Sequence, residues 1–481
     1  MTNKSKKVLL VANMDPVTKQ HPEHERFWRA YLASRAADNS VGLKQDELPF
    51  YANLGNQNIG LLHLGGILKK RNHIVDYFAP WATLSEEEFV SGVLEKSKDS
   101  DFLGFYSHTC GVPLAEKLTV QAKEANPELT VVLGGPHPSG FTEKEDSPID
   151  IYARGKGHKV LPWIVEANVK KSVVSERDIP EDYFQGTEEP SLFPQPDNSL
   201  MNVDFLPAGR IYTTLGCGKT KPCTFCSSIN QLENKHFVGD LEKIISYVEE
   251  LVDDFGTKFI YIGDENFFRN PEHSSKLVRE LKDRFQGRLT YFVQGNAESI
   301  LQRPELLKEL GDSGMCKEVQ VGAESADQKV LNLARKGLRA KVIKEAGEMV
   351  KEQGMRYFGN WLSWLPGESE STQRYTTDAI CRLMSEGIMD YAESYIVIPS
   401  PGSALFNSRD EYGLKIVDWN YSGWKGETFP VFEYEGGIPR EKMHELDIER
   451  VTIMADIYES KLPLDFKDKL GVDPSRIISG F

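Results

Sequence analysis

The chain is poor in cysteine: six thiols in 481 residues. That is too few for the disulfide frameworks of small secreted domains. It has no apolar run near the roughly 20 residues a membrane span needs. It has no basic surplus either. Lys and Arg number 57 against 72 Asp and Glu, a net charge of −15. A nucleic-acid or anionic-membrane surface would show clustered basic residues, so neither partner is expected. No internal repeat or low-complexity tract is present. The apolar run Val8-Leu9-Leu10-Val11-Ala12 is too short for a signal-peptide core and lacks a cleavage signature, so a cytoplasmic location is expected. What remains is ordinary globular material, 40% hydrophobic and 27% charged. At roughly 100–200 residues per domain, the length suggests about two to four domains.

The first third alternates in type. Strands are expected at 8–12, 74–78, 102–106, 129–133 and 149–153. Helices are expected at 60–71, 84–98, 113–125 and from 157 to about 169. Pro113 suits a helical first turn. Such alternation implies a parallel sheet covered on both faces. Ligands of these sheets sit beyond the carboxyl ends of the strands. The loops there are 13–16, 107–112, 134–140 and 154–158. Gly134, Gly135, Gly155 and Gly157 let a large ligand approach the backbone closely. Any one loop could hold ordinary turn glycines, but their coincidence on one edge points to a ligand. Residues 171–206 are acidic and carry Pro180, Pro190, Pro194 and Pro196, which reads as an inter-domain connection.

The middle third carries metal chemistry. A strand at 210–214 leads into Leu215-Gly216-Cys217-Gly218-Lys219-Thr220-Lys221-Pro222-Cys223-Thr224-Phe225-Cys226. Thiolates so spaced can converge on one centre. Three of them would leave one iron of a [4Fe–4S] cluster open, and an open metal position signals catalysis. Zinc with a fourth ligand such as His236, unmetallated thiols and a purely structural cluster are the alternatives. Strands at 259–262, 289–293, 318–322, 355–361 and 393–398 then alternate with helices, giving about six strand–helix units of barrel type.

Further motifs follow in order. They are Ile262-Gly263-Asp264-Glu265-Asn266-Phe267, Val321-Gly322-Ala323-Glu324-Ser325-Ala326, Leu365-Pro366-Gly367-Glu368-Ser369 and Ile398-Pro399-Ser400-Pro401-Gly402-Ser403-Ala404-Leu405-Phe406. With Phe225 before the last cysteine, they resemble the radical S-adenosylmethionine (SAM) superfamily over roughly residues 8–410. Leu133-Gly134-Gly135-Pro136-His137-Pro138 and Asn58-Ile59-Gly60-Leu61-Leu62-His63-Leu64-Gly65-Gly66 narrow the resemblance to members with an N-terminal cobalamin-binding domain. The resemblance implies an α/β chain in four parts. Residues 1–170 are a doubly wound Rossmann-like cobalamin-binding domain, 171–206 a linker, 207–406 a partial (β/α)6 barrel and 407–481 a small, mostly helical C-terminal region. Two departures stand out. The family's cysteine spacing is three then two, whereas here it is five then two, so the loop path must differ. Its Gly-Glu-Gly-Glu appears as Gly155-Lys156-Gly157-His158, which alters any recognition of the cobalamin tail. The Asp-x-His-x-x-Gly signature of axial-histidine cobalamin proteins is absent, so no histidine of that kind is expected on cobalt.

By the same resemblance, Cys217, Cys223 and Cys226 hold the [4Fe–4S] cluster. Its open iron takes the amino and carboxylate groups of SAM, and one electron cleaves the sulfonium to a 5′-deoxyadenosyl radical. Phe225, Asp264, Glu265, Glu324 and Ser325 are the implied cofactor contacts, the first two acids around the amino group. His108, Thr109 and Cys110 would lie near the corrin's lower face, with Gly134, Gly135, His137, Gly155 and Gly157 in its loops. Cys316 and Cys381 read as small buried residues. Trp361 and Trp364 read as cavity lining or core. The segment with Trp419, Tyr421 and Trp424 and the helix at 441–460 would cap the barrel mouth. The implied partners are a small-molecule substrate and an external electron donor such as flavodoxin or ferredoxin. The implied activity is methyl transfer to an unactivated carbon. The alternatives are a cobalamin-dependent rearrangement, ring contraction or cyclisation; a radical SAM enzyme that has lost cobalamin; and a non-catalytic cobalamin or redox sensor.

Overall fold

The computed structural model describes residues 5–12, 21–37, 57–79, 85–141, 146–167, 169, 172–185, 189–228, 235–426 and 429–462. The loop expected at 13–16 lies outside the described residues.

The first sheet is built from β1 (Lys7–Val11), β2 (Ile74–Phe78), β3 (Phe102–Tyr106), β4 (Thr130–Gly134), β5 (Ile151–Ala153) and β6 (Val173–Val174). The strands lie in the order β2-β1-β3-β4-β5-β6, all parallel. Interleaved are α1 (Pro22–Ala37), α2 (Ile59–Lys70), α3 (Glu86–Ser97), α4 (Val112–Ala125), α5 (Pro136–Gly140) and α6 (Gly157–Ala167). The central strands β1, β3 and β4 read as largely apolar runs because helices cover both faces. Ser85 and Glu88 close a capping box that starts α3. β6 falls at the start of the stretch read as a connection: Tyr152 and Arg154 donate backbone hydrogen bonds to Ser172 and Val174, so the connection first adds a strand. The strand order reverses between β1 and β3, which places a ligand crevice at the carboxyl end of that pair.

The second sheet comprises β7 (Ala208–Ile211), β10 (Phe259–Ile262), β11 (Thr290–Gly295), β12 (Cys316–Glu324), β13 (Arg356–Ser363) and β14 (Tyr391–Ile396), adjacent in chain order and all parallel. The strand expected at 210–214 is split. Its end forms β8 (Thr214–Leu215), which pairs antiparallel with β9 (Phe237–Val238) and closes the base of the cysteine loop. The covering helices are α7 (Leu241–Asp253), α8 (Pro271–Phe285), α9 (Ala297–Leu301), α10 (Pro304–Ser313), α11 (Gln328–Leu333), α12 (Val342–Glu352) and α13 (Glu370–Ser385).

The C-terminal region holds α14 (Ala404–Asn407), an antiparallel ribbon of β15 (Leu414–Ile416) and β16 (Phe432–Tyr434), and α15 (Arg440–Lys461). α15 covers the free edge of β14. The Tyr458 hydroxyl accepts from the Ala392 N–H at 2.7 Å and donates to the Ala392 carbonyl at 3.0 Å. Two backbone groups that would invite another strand are thereby satisfied. The opposite edge strand, β7, gives its Ala208 carbonyl to the Gln57 amide at 2.6 Å. By chain order α1 belongs to the first sheet, but it packs beside the barrel: Phe27 and Tyr31 meet Tyr458, and Tyr31 also meets Tyr391. No helix among the described residues is long and apolar enough to cross a membrane.

Candidate functional site

The cysteine loop rises from the carboxyl end of β7. Asp264, just after β10, sets its base. Its Oδ1 accepts from the Thr213 and Thr214 N–H groups at 2.6 and 3.0 Å. Its Oδ2 accepts from both threonine hydroxyls, Thr214 at 2.9 Å and Thr213 closer still. Asp264 is fully buried, and burial raises its pKa against the pull of these four bonds. Its oxygens are therefore spent on the loop's base, and Asp264 acts as a positioning residue here. Glu265 is the acid that borders the loop itself: its Oε2 accepts from Gly216 N–H at 3.0 Å, next to Cys217.

The loop's far arm is tied down separately. Thr224 N–H donates to Ala334 and the Thr224 carbonyl accepts from Leu405. Phe225 packs into the C-terminal apolar cluster. Cys217, Cys223 and Cys226 are half-buried free thiols, close enough to influence one another's charge, and burial raises the Cys217 thiol. Among the described residues no three His, Cys, Asp or Glu side chains already converge in metal-binding geometry. His236 lies beside the loop, its Nδ1 donating to the Gly216 carbonyl at 2.7 Å.

Two lysines outside the expected set of site residues stand against the thiols. Lys219 belongs to the widened first gap. Its ammonium reaches Cys223 Sγ at 3.4 Å and the Lys336 carbonyl at 2.6 Å. The longer spacing thus folds outward onto the segment after α11. Lys336 pairs with Glu324 Oε1 at 2.5 Å. Burial opposes its charge, but Glu324 and the neighbouring thiols hold its pKa above the ordinary value. Glu324 sits at φ 62°, a strained conformation for a residue with a Cβ. Ser325 is turned away and buried: its Oγ meets Thr376 Oγ1 at 3.3 Å and accepts from Asp327 N–H. Glu368 of the Leu-Pro-Gly-Glu segment accepts from the Trp364 and Leu365 N–H groups, bracing its own turn. Trp361 and Trp364 are core residues, and so is Cys316. Cys381 lies on α13.

At the carboxyl edge of the first sheet, the loops after β3, β4 and β5 are locked together. Ser107 N–H donates to the Gly134 carbonyl and His137 N–H to the Ser107 carbonyl. Thr109 Oγ1 and His137 Nδ1 lie 3.2 Å apart, and Gly155 N–H donates to Ser139 Oγ at 3.2 Å. Gly135 has φ 102°, and a Cβ there would come within 2.9 Å of Ser107 backbone atoms. Gly155, at φ 80°, faces open space, while Gly157 packs near Leu64. Thr109, Cys110 and His137 are buried in the wall, and His108 is the exposed side chain of its loop.

The two edges meet. A Cβ on Gly140 would strike the Pro401 carbonyl at 2.1 Å. Phe141 packs edge-on to Phe406, whose neighbour Leu405 holds the cysteine loop. Tyr421 of the C-terminal region packs edge-on to both His137 and Phe141.

A three-thiol loop thus stands at the mouth of a sequential parallel half-barrel, with the carboxyl edge of a second parallel sheet beside it. Residues 211–376 match the radical SAM superfamily. Over 371 residues it is 24% identical to an uncharacterized methyltransferase of Pyrococcus horikoshii, covering 72% of this chain and 77% of that one. It is also 24% identical to the anaerobic magnesium-protoporphyrin IX monomethyl ester cyclase of Cereibacter sphaeroides, over 74% of this chain and 61% of the cyclase. In fold it is similar to TsrM of Kitasatospora setae, a radical SAM methyltransferase solved with cobalamin and a [4Fe–4S] cluster bound. The TM-score is 0.62 at 16% identity, covering 93% and 91% of the two chains. The cobalamin-dependent enzyme OxsB follows at a TM-score of 0.56 and 14% identity, covering 88% of this chain and 64% of OxsB.

Proposed function

We propose that the chain is a cobalamin-dependent radical SAM enzyme that transfers a methyl group to a small-molecule substrate. The observation that carries this reading is the abutment of the two edges through Gly140–Pro401 and Phe141–Phe406. Groups held on the first sheet's glycine loops and on the cysteine loop would share one chamber.

The donor set fits a cluster: three thiols outside any disulfide on one loop, flanked by two ammoniums that offset thiolate charge. Cys217, Cys223 and Cys226 would be its ligands. The first sheet's edge fits a large, flat ligand, since Gly155 opens onto free space and only His108 projects from its loop. Bound there, the cluster and SAM supply a carbon-centred oxidant and cobalamin supplies a transferable methyl group. The chain's own residues position and enclose. Asp264 fixes the loop base, and Glu265 lies beside Cys217, where a carboxylate can accept from an ammonium. The Glu324–Lys336 pair walls the far side. The Tyr421 and Phe406 rings seal the seam, which excludes water from a reactive intermediate. An electron donor such as flavodoxin or ferredoxin would act from outside, and the cytoplasm supplies both.

A second reading, cyclisation without methyl transfer, is favoured by the cyclase relative. Product counting separates the two. Methyl transfer yields S-adenosylhomocysteine together with 5′-deoxyadenosine; hydrogen abstraction alone yields only the latter. Absence of S-adenosylhomocysteine during substrate turnover would overturn the methyl-transfer reading.

A further inference from the structure

The chain carries a net charge of −15, but the charge is not spread evenly. Residues 328–344 hold six Lys or Arg and no Asp or Glu. The cysteine loop, 217–228, holds Lys219 and Lys221 and no acid. These two stretches, far apart in sequence, meet in the fold. Lys219 Nζ donates to the Lys336 carbonyl at 2.6 Å and to that of Arg335 at 3.4 Å, and Thr224 N–H donates to the Ala334 carbonyl at 3.0 Å. Arg269, after β10, joins them: its Nη2 reaches the Gly218 carbonyl at 3.2 Å. A basic patch thus lies over the cysteine loop of an acidic protein.

Part of this charge is spent inside the chain. Lys336, Arg339, Lys341 and Lys344 are answered by Glu324, Glu298, Glu345 and Glu386. The rest is not. Among the described residues, Lys219, Lys221, Arg269, Lys329 and Arg335 form no ion pair. All of these but Lys219 are exposed. One turn from Lys329 on α11, Leu333 is 42% exposed, the one large apolar side chain that the helix leaves open. Arg335 stands at φ 53°, a left-handed position after a helix where glycine would sit without strain. That strain serves no ion pair of the fold.

The position of the patch points to its partner. Cys223 Sγ lies 3.4 Å from the Lys219 ammonium, so the thiols stand at the inner side of the patch. A cluster held by those thiols needs one electron from outside the chain for each SAM it cleaves. Proteins that exchange electrons meet briefly over small areas, steered by opposite charge. A rim of free cations around one exposed leucine suits such an encounter. The charges guide approach, and the leucine gives a small dry contact without the broad apolar centre of a lasting complex.

We propose that this patch is the docking surface for an acidic one-electron carrier protein of flavodoxin or ferredoxin type, which delivers its electron at Cys223. The reduced carrier is oxidised by one electron and the cluster on the thiols is reduced by one; no atom or proton passes between the proteins. This rests on the radical reading proposed above.

The test uses the full chain reconstituted with iron and sulfide. The probes are a bacterial flavodoxin, a plant-type [2Fe–2S] ferredoxin and bulk tRNA, with affinities read by interferometry. At least one carrier should bind, and by about tenfold or more less tightly at about 0.15 M than at about 0.01 M ionic strength. Lys221→Glu combined with Arg335→Glu should weaken binding by about tenfold or more. The same change of charge at Lys117 and Lys415, away from the patch, should leave it unchanged. Arg335→Gly removes one charge and suits φ 53°, so it should weaken binding by a smaller factor while the turn stays intact. With the carrier as reductant, 5′-deoxyadenosine should form more slowly in the double variant; with dithionite its rate should match the parent's. No binding of either carrier, binding indifferent to salt, full affinity in the double variant, or equal slowing with dithionite would overturn the inference. So would tighter binding of tRNA that is lost in the same variant, which marks a nucleic-acid surface. Failure of the parent to form 5′-deoxyadenosine with dithionite would count against the radical reading, whereas docking stands or falls on the affinities.

Discussion

The carboxyl edges of the two sheets differ in charge although both are built from parallel strand–helix units. The loops after β3 and β4 contribute Ser107, Thr109, Cys110, Gly134, Gly135 and His137 without a carboxylate or ammonium among the described residues, and the loop after β5 adds the cations Arg154 and Lys156 but no acid. The barrel mouth brings together Glu265, Glu324, Lys219 and Lys336 around three thiols. Topology accounts for part of this. The reversed strand order of the first sheet opens a crevice lined by backbone. The sequential order of the second rings a lumen with strand ends, each able to aim one side chain inward. A backbone-lined crevice accepts a broad face; a ring of aimed charges handles thiolates and small ions. The account predicts that the two edges can be broken independently.

The largest effect belongs to the cysteines. Replacing Cys217, Cys223 or Cys226 with Ala should abolish cluster absorption and SAM cleavage after anaerobic reconstitution while leaving corrin retention intact. Gly135→Ala should do the reverse. At φ 102° and 2.9 Å from Ser107, the added methyl must displace the β3 and β4 loops. Corrin affinity measured by desalting should fall about tenfold or more, or 1.4 kcal/mol, with iron content unchanged. Asp264→Ala orphans four donors at the base of the cysteine loop. It should cost on the order of 3 kcal/mol in denaturant unfolding and lower iron per chain before it touches corrin binding.

A smaller effect sharpens the comparison through pH. Burial opposes ionisation of Glu166, but Arg71, His73 and Tyr183 win and hold its pKa near 2. A depressed carboxylate stabilises the fold above its unfolded value of 4.5 and loses that contribution as pH falls toward 2. Glu166→Gln should therefore cost about 2 kcal/mol at neutral pH and progressively less in acid, with the first sheet's hydrogen exchange responding before the barrel's. The smallest effect is electronic. An ammonium 3.4 Å from Cys223 Sγ favours the more negative, reduced cluster. Lys219→Met should shift the midpoint potential to more negative values in an EPR-monitored titration, without loss of iron.

Much of the fold was legible because both parallel sheets advertise themselves as apolar runs between amphipathic stretches. The strand expected at 259–262 forms over those residues, and α4 starts one residue before the expected 113. The cysteine loop was legible from its spacing. α1 was not. Its Phe27, Trp28 and Tyr31 face several partners, and its buried His24 and Arg35 are met by Asp447 and Glu318, residues far along the chain. Individual roles behind motifs were equally hidden. Asp264 and Ser325 sit in recognisable segments, yet their hydrogen bonds go to Thr213, Thr214, Asp327 and Thr376. A motif marks a place in the fold; where its oxygens point is decided by neighbours that only the tertiary structure assembles.

The most direct test is a visible spectrum after anaerobic reconstitution with iron and sulfide, recorded with and without hydroxocobalamin and after desalting. Corrin bands retained beside the broad cluster absorption are the predicted result. A cluster with no retained corrin would contradict the shared-chamber account and leave a radical enzyme whose first sheet serves another purpose.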